Sequence, residues 1–351
     1  MQKAYLILEN GKVFEGTSFG AKGTTVGELV FTTSMVGYND LLTDASYYGQ
    51  VVMNTFPLIG NYGIVFEDYE HKKPFINGYI VREKCDNPSN FNCKCTLEEY
   101  MNIHNVIGIC DIDTRELTKI LRDNGTMNCM ITDSKDNIDM EKIKSYKVTD
   151  AVKNTSCEVT CSDAGGDYNV VVYNFGSLNN IVTELEKRGC KVNVVSYDAD
   201  ISSLNADGVI LSDGPGDPMD IKDISDKIRA ILDKDIPVFG ISLGHQLLAI
   251  ANGLKTTKLK YGHRGSSQPV KDISKGTVCI TNQNHGYAVD LDSLTENVTV
   301  SFVNVNDKTI EGIEYKNKKA FSVQFHPITS GGPHDTNYLF DKFIDMMKEG
   351  K

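Results

Sequence analysis

Apolar positions follow two different rhythms along this chain. Up to about residue 130, short apolar runs such as AYLIL, GELVF and GQVVM alternate with turns rich in Gly, Asn and Asp. Short runs bounded by turn residues predict β-strands. The stretch DTRELTKILRDNG has helical spacing instead, with Asp113 or Thr114 as the predicted cap and Gly125 as the predicted end. We therefore predict a β-rich N-terminal domain over residues 1–133.

The second half alternates strand-like and helix-like segments. NVVVY, KVNVVS, DGVILS and PVFGI are near-continuous apolar runs, and helical patterns stand between or after them at residues 178–188, 221–234 and 243–251. Buried strands that alternate with helices predict a parallel sheet covered on both faces. Residues 134–167 are polar and aperiodic, which predicts a linker. We expect a mostly parallel α/β domain over residues 168–351, with sites at the carboxyl ends of its strands.

Composition and charge exclude several classes of function. The formal net charge of −11 argues against a large nucleic-acid interface, which needs clustered Lys and Arg. No apolar run approaches the roughly 20 residues that cross a bilayer, and the N-terminus resembles a strand pair more than a signal peptide. Nine cysteines are an odd number, and neither Cys93/Cys95 nor Cys157/Cys161 has a second pair at zinc-ribbon spacing. We expect a cytoplasmic protein with reduced thiols, no metal site, and protein or small-molecule partners.

Residues 240–244 read Gly-Ile-Ser-Leu-Gly, the G-x-S-x-G pattern of a nucleophile elbow. The predicted helix from Leu243 directs its free N–H groups at an atom reacting on Ser242. A tight turn between a strand and a helix that has no catalytic role would give the same pattern. In a serine esterase or peptidase, Asp290 and then His326 would complete the triad in the expected chain order. Only the elbow supports that hypothesis.

Several longer motifs together carry a family resemblance. GISLGHQLLAIANG resembles a segment of class I glutamine amidotransferases. LSDGPGDP, GHRGSSQPV, TNQNHGYAVD and SVQFHP resemble, in that order and spacing, the small subunit of carbamoyl-phosphate synthetase. GELVFTTSMVGYNDLLTDASYYGQ and IGICDIDTRELTKILRDNG resemble the N-terminal domain peculiar to that subunit. The resemblance covers nearly the whole chain.

The resemblance implies an activity and a set of site residues. Such subunits hydrolyse glutamine through a cysteine thioester and pass ammonia through a tunnel to a large subunit. Ser242 aligns with the nucleophile, His326 with the general base, and the N–H groups of Leu243 and Gly214 with the oxyanion hole. The implied glutamine contacts are Ser46, from the N-terminal domain, and Gly214, Gly216, Leu243, Gln246, Asn284, Gly286 and Tyr287. No cofactor is expected in this chain; ATP and Mg²⁺ are expected in the large subunit.

Two positions depart from the family pattern. The family nucleophile is cysteine, whose thiolate forms readily at a helix N-terminus beside a histidine, whereas the Ser242 hydroxyl must lose its proton during attack. The family glutamate two residues after the histidine is Ile328 here, and an isoleucine cannot orient an imidazole. Thr329, Ser330 and Asp335 are the candidates to replace that carboxylate. We therefore predict poor or absent glutamine hydrolysis.

Three explanations for these departures stay open at this point. In the first, serine was introduced at position 242 of a protein that naturally has Ile328. In the second, both residues were introduced. In the third, the glutaminase was lost naturally and the synthetase uses free ammonia. A non-catalytic structural subunit is the main alternative function. The resemblance implies a role in arginine or pyrimidine biosynthesis.

Overall fold

The computed structural model describes most of the chain in two compact units. The described residues are 2–66, 71, 73–136, 138–156, 160–161, 165–178, 180–200, 205–328 and 332–349. One unit comprises Met1–Thr149 with Lys260–Gly265, and the other Asp150–Leu259 with Ser266–Lys351. Each helix in the described part of the chain is too short or too polar to cross a membrane.

The first unit is built around a closed barrel. Its strands and helices are β1 (Lys3–Leu8), β2 (Val13–Gly20), β3 (Thr24–Thr32), α1 (Tyr38–Thr43), β4 (Gln50–Asn54), β5 (Leu58–Ile59), β6 (Gly78–Ile80), β7 (Glu83–Lys84), α2 (Leu97–Ile103), β8 (Ile107–Cys110), α3 (Thr114–Asn124), β9 (Met127–Thr132) and α4 (Met140–Ser145). The barrel order is β1-β2-β8-β6-β4-β3-β9, and β5 pairs with β7 separately. The prediction of a β-rich first half is thus confirmed.

Local sequence sets the bounds of helix α3. The Asp113 carboxylate accepts a hydrogen bond of 2.9 Å from the Glu116 backbone N–H, as a capping side chain does. Gly125 ends the helix with a φ of 95°, a left-handed conformation that favours glycine. Leu117 and Leu121 face inward and are fully buried in the barrel core. Both predicted ends of this helix are confirmed.

The region predicted as a linker, residues 134–167, contains two short helices. In α4 the Asp139 side chain caps the first turn, and Ile143 is fully buried against Ile7, Val26 and Met130 of the barrel. The second, α5 (Ala151–Thr155), begins just beyond the division between the two units. One or two apolar residues are enough to anchor such short helices, so periodicity did not reveal them.

The second unit has a ten-stranded sheet. Its remaining strands and helices are β10 (Thr160–Cys161), β11 (Tyr168–Asn174), α6 (Ile181–Lys187), β12 (Cys190–Ser196), β13 (Gly208–Leu211), α7 (Ser225–Leu232), β14 (Val238–Ile241), α8 (Leu243–Ala251), β15 (Thr256–Asp272), β16 (Val278–Val289), β17 (Val298–Asn304), β18 (Ile310–Tyr315), β19 (Ala320–Val323) and α9 (Tyr338–Lys348). The order is β10-β12-β11-β13-β14-β19-β18-β17-β15-β16.

The strands predicted from apolar runs form the parallel centre of this sheet. Strands β12, β11, β13, β14 and β19 pair in parallel. Alternate residues enter two cores: Val171 packs with α7 and α8, and Val170 with α6 and α9. The prediction of a mostly parallel sheet is wrong for the remainder, because β17, β18 and β19 follow one another through short connections and pair antiparallel.

Candidate active site

Three neighbouring parallel strands bring the candidate residues to one edge of the sheet. Strand β14 lies between β13 and β19, with Leu211 opposite Gly240 and Ile241 opposite Val323. Because all three strands run in the same direction, their carboxyl ends meet. Asp213, Ser242 and His326 each follow one of these ends.

The strand-to-helix turn predicted at residues 240–244 is present. Ser242 has φ 51° and ψ −104°, a left-handed φ that is uncommon outside glycine. Its N–H donates to the Val323 carbonyl at 2.8 Å, and its carbonyl accepts from the Gln246 N–H at 3.1 Å as α8 begins. The residue is 99% buried. The chain thus holds residue 242 in a strained conformation at the N-terminus of a helix, as a nucleophile elbow requires.

Glycines on both sides make this turn sterically feasible. A Cβ on Gly240 would lie 2.8 Å from the Gly244 carbonyl oxygen, and one on Gly244 would lie 2.1 Å from the Leu211 carbonyl oxygen. Helix α8 therefore packs directly on the backbone at the end of β13.

The predicted base, His326, contacts a carboxylate that sequence reasoning missed. His326 Nε2 lies 2.7 Å from Asp213 Oδ2, and both side chains are almost completely buried. The other carboxylate oxygen, Oδ1, accepts hydrogen bonds from the Gly214 N–H at 2.7 Å and the Leu243 N–H at 3.2 Å. The signal in the sequence was an acidic residue directly after a buried strand, within LSDGPGDP.

The backbone around Asp213 is fixed from several sides. Its carbonyl accepts from the Ser177 N–H at 3.0 Å and from the Ser212 hydroxyl at 2.8 Å. The next residue, Gly214, lies so close to Phe175 that a Cβ would meet the Phe175 carbonyl oxygen at 2.3 Å. These contacts determine where the Asp213 carboxylate points.

Ile328 is a core residue. It is 93% buried and belongs to the apolar cluster that includes Val270, Phe302 and Phe325. Of the proposed substitutes for the missing carboxylate, Asp335 is exposed, and its Oδ2 accepts from the Ile280 N–H at 3.1 Å. Thr329 and Ser330 lie outside the described residues, as do Cys157 and the side chain of Cys161.

The residues implied as glutamine contacts occupy several elements. Gln246, on α8, donates to the Tyr287 carbonyl at 2.8 Å and to Gln324 Oε1 at 3.0 Å, which ties the helix to β16. Asn284 and Gly286 lie on the same strand. Gly216 is exposed, with a φ of 95°. Ser46 is buried in the first unit, where its N–H donates to the Asp44 carboxylate at 2.9 Å.

A second histidine near the elbow has a structural role. His245 is fully buried on α8, and its Nδ1 lies 2.8 Å from the Ser322 hydroxyl. Burial away from water lowers the pKa of His245 to about 3. The imidazole is therefore neutral at pH 7 and packs inside the domain.

Comparison with known proteins covers both units. Residues 6–131 match the family described as carbamoyl-phosphate synthase small chain, CPSase domain, and residues 170–346 match glutamine amidotransferase class-I. The carbamoyl phosphate synthase small chain of Clostridium perfringens is 48% identical over 347 residues, which cover 97% of this chain and 99% of that protein. The chain belongs to the carbamoyl-phosphate synthase small-chain family.

Other members of the family align over the same length. The small chain of Staphylococcus epidermidis is 46% identical over 358 residues, covering 100% of this chain and 98% of that protein. The pyrimidine-specific small chain of Bacillus subtilis is 44% identical over 360 residues, covering 99% and 98%. The family is that of the glutamine-hydrolysing synthase, and this chain spans its small subunit from the barrel to the amidotransferase domain.

Proposed function

We propose that this chain is the amidotransferase-type subunit of a carbamoyl-phosphate synthase and that its own hydrolysis of glutamine is severely impaired. The observation that carries the proposal is the composition of the elbow site. A serine occupies the strained turn at the start of α8, and the position two residues after His326 holds a side chain packed in an apolar core.

Acyl transfer from glutamine needs three contributions from the protein. The nucleophile must lose a proton, a base must take it, and hydrogen-bond donors must stabilise the oxyanion. Ser242 keeps its proton until attack, so it depends more on the base than a thiol does. Ile328 offers His326 no acceptor. Losing members of such a unit costs about 10⁴-fold or more in rate, and the losses are not additive.

The proposed partner is the large chain of the synthase. Small chains similar to this one over nearly their whole length support such an assembly. In this assembly the large chain binds ATP and Mg²⁺ and activates bicarbonate. This chain is the small subunit, which closes the ammonia path. With its glutaminase impaired, the assembly uses free ammonia, and this chain contributes structure instead of ammonia.

The test is ammonia release from glutamine by the full chain purified with its large chain. The Clostridium perfringens small chain, purified and assayed in the same way, is the comparator. We expect the chain to release ammonia at less than about one thousandth of the comparator's rate. A rate within tenfold of the comparator would contradict the proposal.

The serine-hydrolase alternative is tested separately. A fluorophosphonate probe labels a serine whose hydroxyl is activated by a base. We expect no labelling of Ser242, with Ser242→Ala as the background control. Stoichiometric labelling that disappears in Ser242→Ala would favour an esterase or peptidase.

A further inference from the structure

The carboxylate of Asp213 lies where this family's oxyanion is expected to bind. The donors implied for the oxyanion hole are the N–H groups of Gly214 and Leu243. Both already donate to a single atom, Asp213 Oδ1, at 2.7 and 3.2 Å. Oxyanion donors act at roughly 2.7–3.1 Å from the oxygen they stabilise. Asp213 Oδ1 therefore stands in the place of the substrate oxygen.

The second oxygen of the same carboxylate engages the predicted base. Asp213 Oδ2 lies 2.7 Å from His326 Nε2. A carboxylate oxygen at this distance competes with the nucleophile for the same ring nitrogen. One side chain thus contacts both the oxyanion donors and the base.

The surroundings of Asp213 favour a carboxylate that lies in the hole over one that has moved out of it. Asp213 is fully buried, and its backbone carbonyl accepts two hydrogen bonds. Leu243 is the first residue of α8, and the N-terminus of a helix stabilises negative charge. A substrate oxygen that enters must therefore displace a carboxylate whose hydrogen bonds are already satisfied.

We propose that Asp213 occupies the oxyanion hole and blocks acyl transfer at this site independently of the residue at position 242. The inference rests on the proposed function only for the position of the hole at Gly214 and Leu243. Two effects follow from it. The carbonyl of glutamine loses its donors, and a thiolate or oxyanion that forms at residue 242 meets a like charge, which disfavours it.

Two causes of impairment, Ser242 and Asp213, act together in the chain as it stands. If residue 242 were the sole defect, Ser242→Cys would restore hydrolysis of glutamine. With Asp213 in the hole, Ser242→Cys alone stays slow. The decisive comparison is therefore made in the Ser242→Cys background.

The experiment uses the full chain purified with its large chain. Three further changes are combined with Ser242→Cys. Asp213→Ala vacates the hole, Asp213→Asn removes the charge at similar size, and Asp223→Asn is the control at an exposed aspartate of the same unit. The measurements are ammonia release from glutamine and, by intact mass, the glutamyl thioester on residue 242. Thermal unfolding of each variant shows whether it is folded.

We expect Asp213→Ala to raise the rate of glutamine hydrolysis at least about 100-fold, the size of effect seen when a single oxyanion donor is gained or lost. Asp213→Asn raises it less, because its amide oxygen still reaches the two donors. Asp223→Asn leaves the rate of Ser242→Cys unchanged.

A second measurement reports on charge directly. The rate at which iodoacetamide alkylates residue 242 in the Ser242→Cys chain follows its thiolate fraction. We expect the pH midpoint of this alkylation to fall by about one unit or more in Asp213→Asn, since a neighbouring negative charge is removed. A mass-spectrometric readout of the peptide that contains residue 242 separates it from the nine natural cysteines.

Two outcomes overturn the proposal. One is fast hydrolysis by Ser242→Cys with Asp213 intact. The other is unchanged hydrolysis in both Asp213 variants when at least Asp213→Asn is folded. Neither outcome bears on the proposed function, which fails only if the chain without these substitutions hydrolyses glutamine at a rate within tenfold of the comparator's.

Discussion

At the scale of single residues, His245 couples stability to pH. Its folded pKa of about 3 lies below its ordinary 6.5 because the ring is fully buried. Between these two pH values the unfolded chain binds a proton that the folded chain does not. The free energy of unfolding therefore falls as pH falls from 6.5 toward 3, by up to about 1.4 kcal/mol per pH unit from this group.

His245→Asn tests this pH dependence. The asparagine keeps a polar atom near the Nδ1 position, which faces the Ser322 hydroxyl in the native chain, but it does not titrate. We expect urea unfolding between pH 6.5 and 4 to show a shallower loss of stability in the variant than in the wild type. At pH 8 the difference in the free energy of unfolding between the variant and the wild type measures packing alone, and it serves as the control. Equal slopes below pH 6.5 would show that the buried imidazole is protonated in the folded state.

The candidate residues differ in how far sequence alone predicted them. Ser242 and Leu243 were located because a strand, a glycine-flanked turn and a helix follow one another in the chain, and local sequence sets such a turn. Asp213 was missed although its motif was recognised. Its role depends on contacts with residues 30 and 113 positions away, and no local pattern shows which N–H group or ring nitrogen its oxygens meet.

At the scale of elements, the contact between helix α8 and strand β13 depends on the absence of a side chain at Gly244. A Cβ there would lie 2.1 Å from the Leu211 carbonyl oxygen and 2.6 Å from the Leu211 carbonyl carbon. These are backbone atoms inside the sheet, so the helix must move. Gly244→Ala is expected to lower the free energy of unfolding by about 3 kcal/mol, the upper part of the range for overpacked cores.

Gly165→Ala is the matched control for this substitution. A Cβ at Gly165 meets nothing within 4 Å, so its effect on stability should stay within about 0.5 kcal/mol. Urea unfolding of the two variants and the wild type gives the comparison. If Gly244→Ala costs no more than Gly165→Ala, the helix does not rest on the strand backbone.

The secondary-structure elements differ in how strongly the sequence predicts them. The central strands read as near-continuous Val and Ile runs because both faces are buried, and these runs are the strongest signal in the sequence. Helix α4 gave no such signal, since Ile143 is its one buried residue and Met140 packs beside it only partly buried. Residues 256–315 hold mainly antiparallel strands, and the direction of pairing is set by connections and tertiary contacts, not by composition.

At the scale of the whole molecule, an impaired glutaminase site changes which nitrogen source the assembled synthase uses. If this chain only completes the complex, the large chain receives ammonia from solution. We expect the purified complex to form carbamoyl phosphate with ammonium and to show no increase when glutamine is added. Because NH₃ is the nucleophile, the rate at fixed total ammonium should rise with pH as the unprotonated fraction rises.

The control for this experiment is the large chain alone under the same conditions. A structural contribution of this chain predicts that the complex is more stable to heat than the large chain alone, while both use ammonium only. Replacing the chain with the Clostridium perfringens small chain provides the comparison for glutamine use. If glutamine supports synthesis by the native complex as well as ammonium does, then neither Ser242 nor Asp213 prevents acyl transfer, and both residues must be assigned other roles.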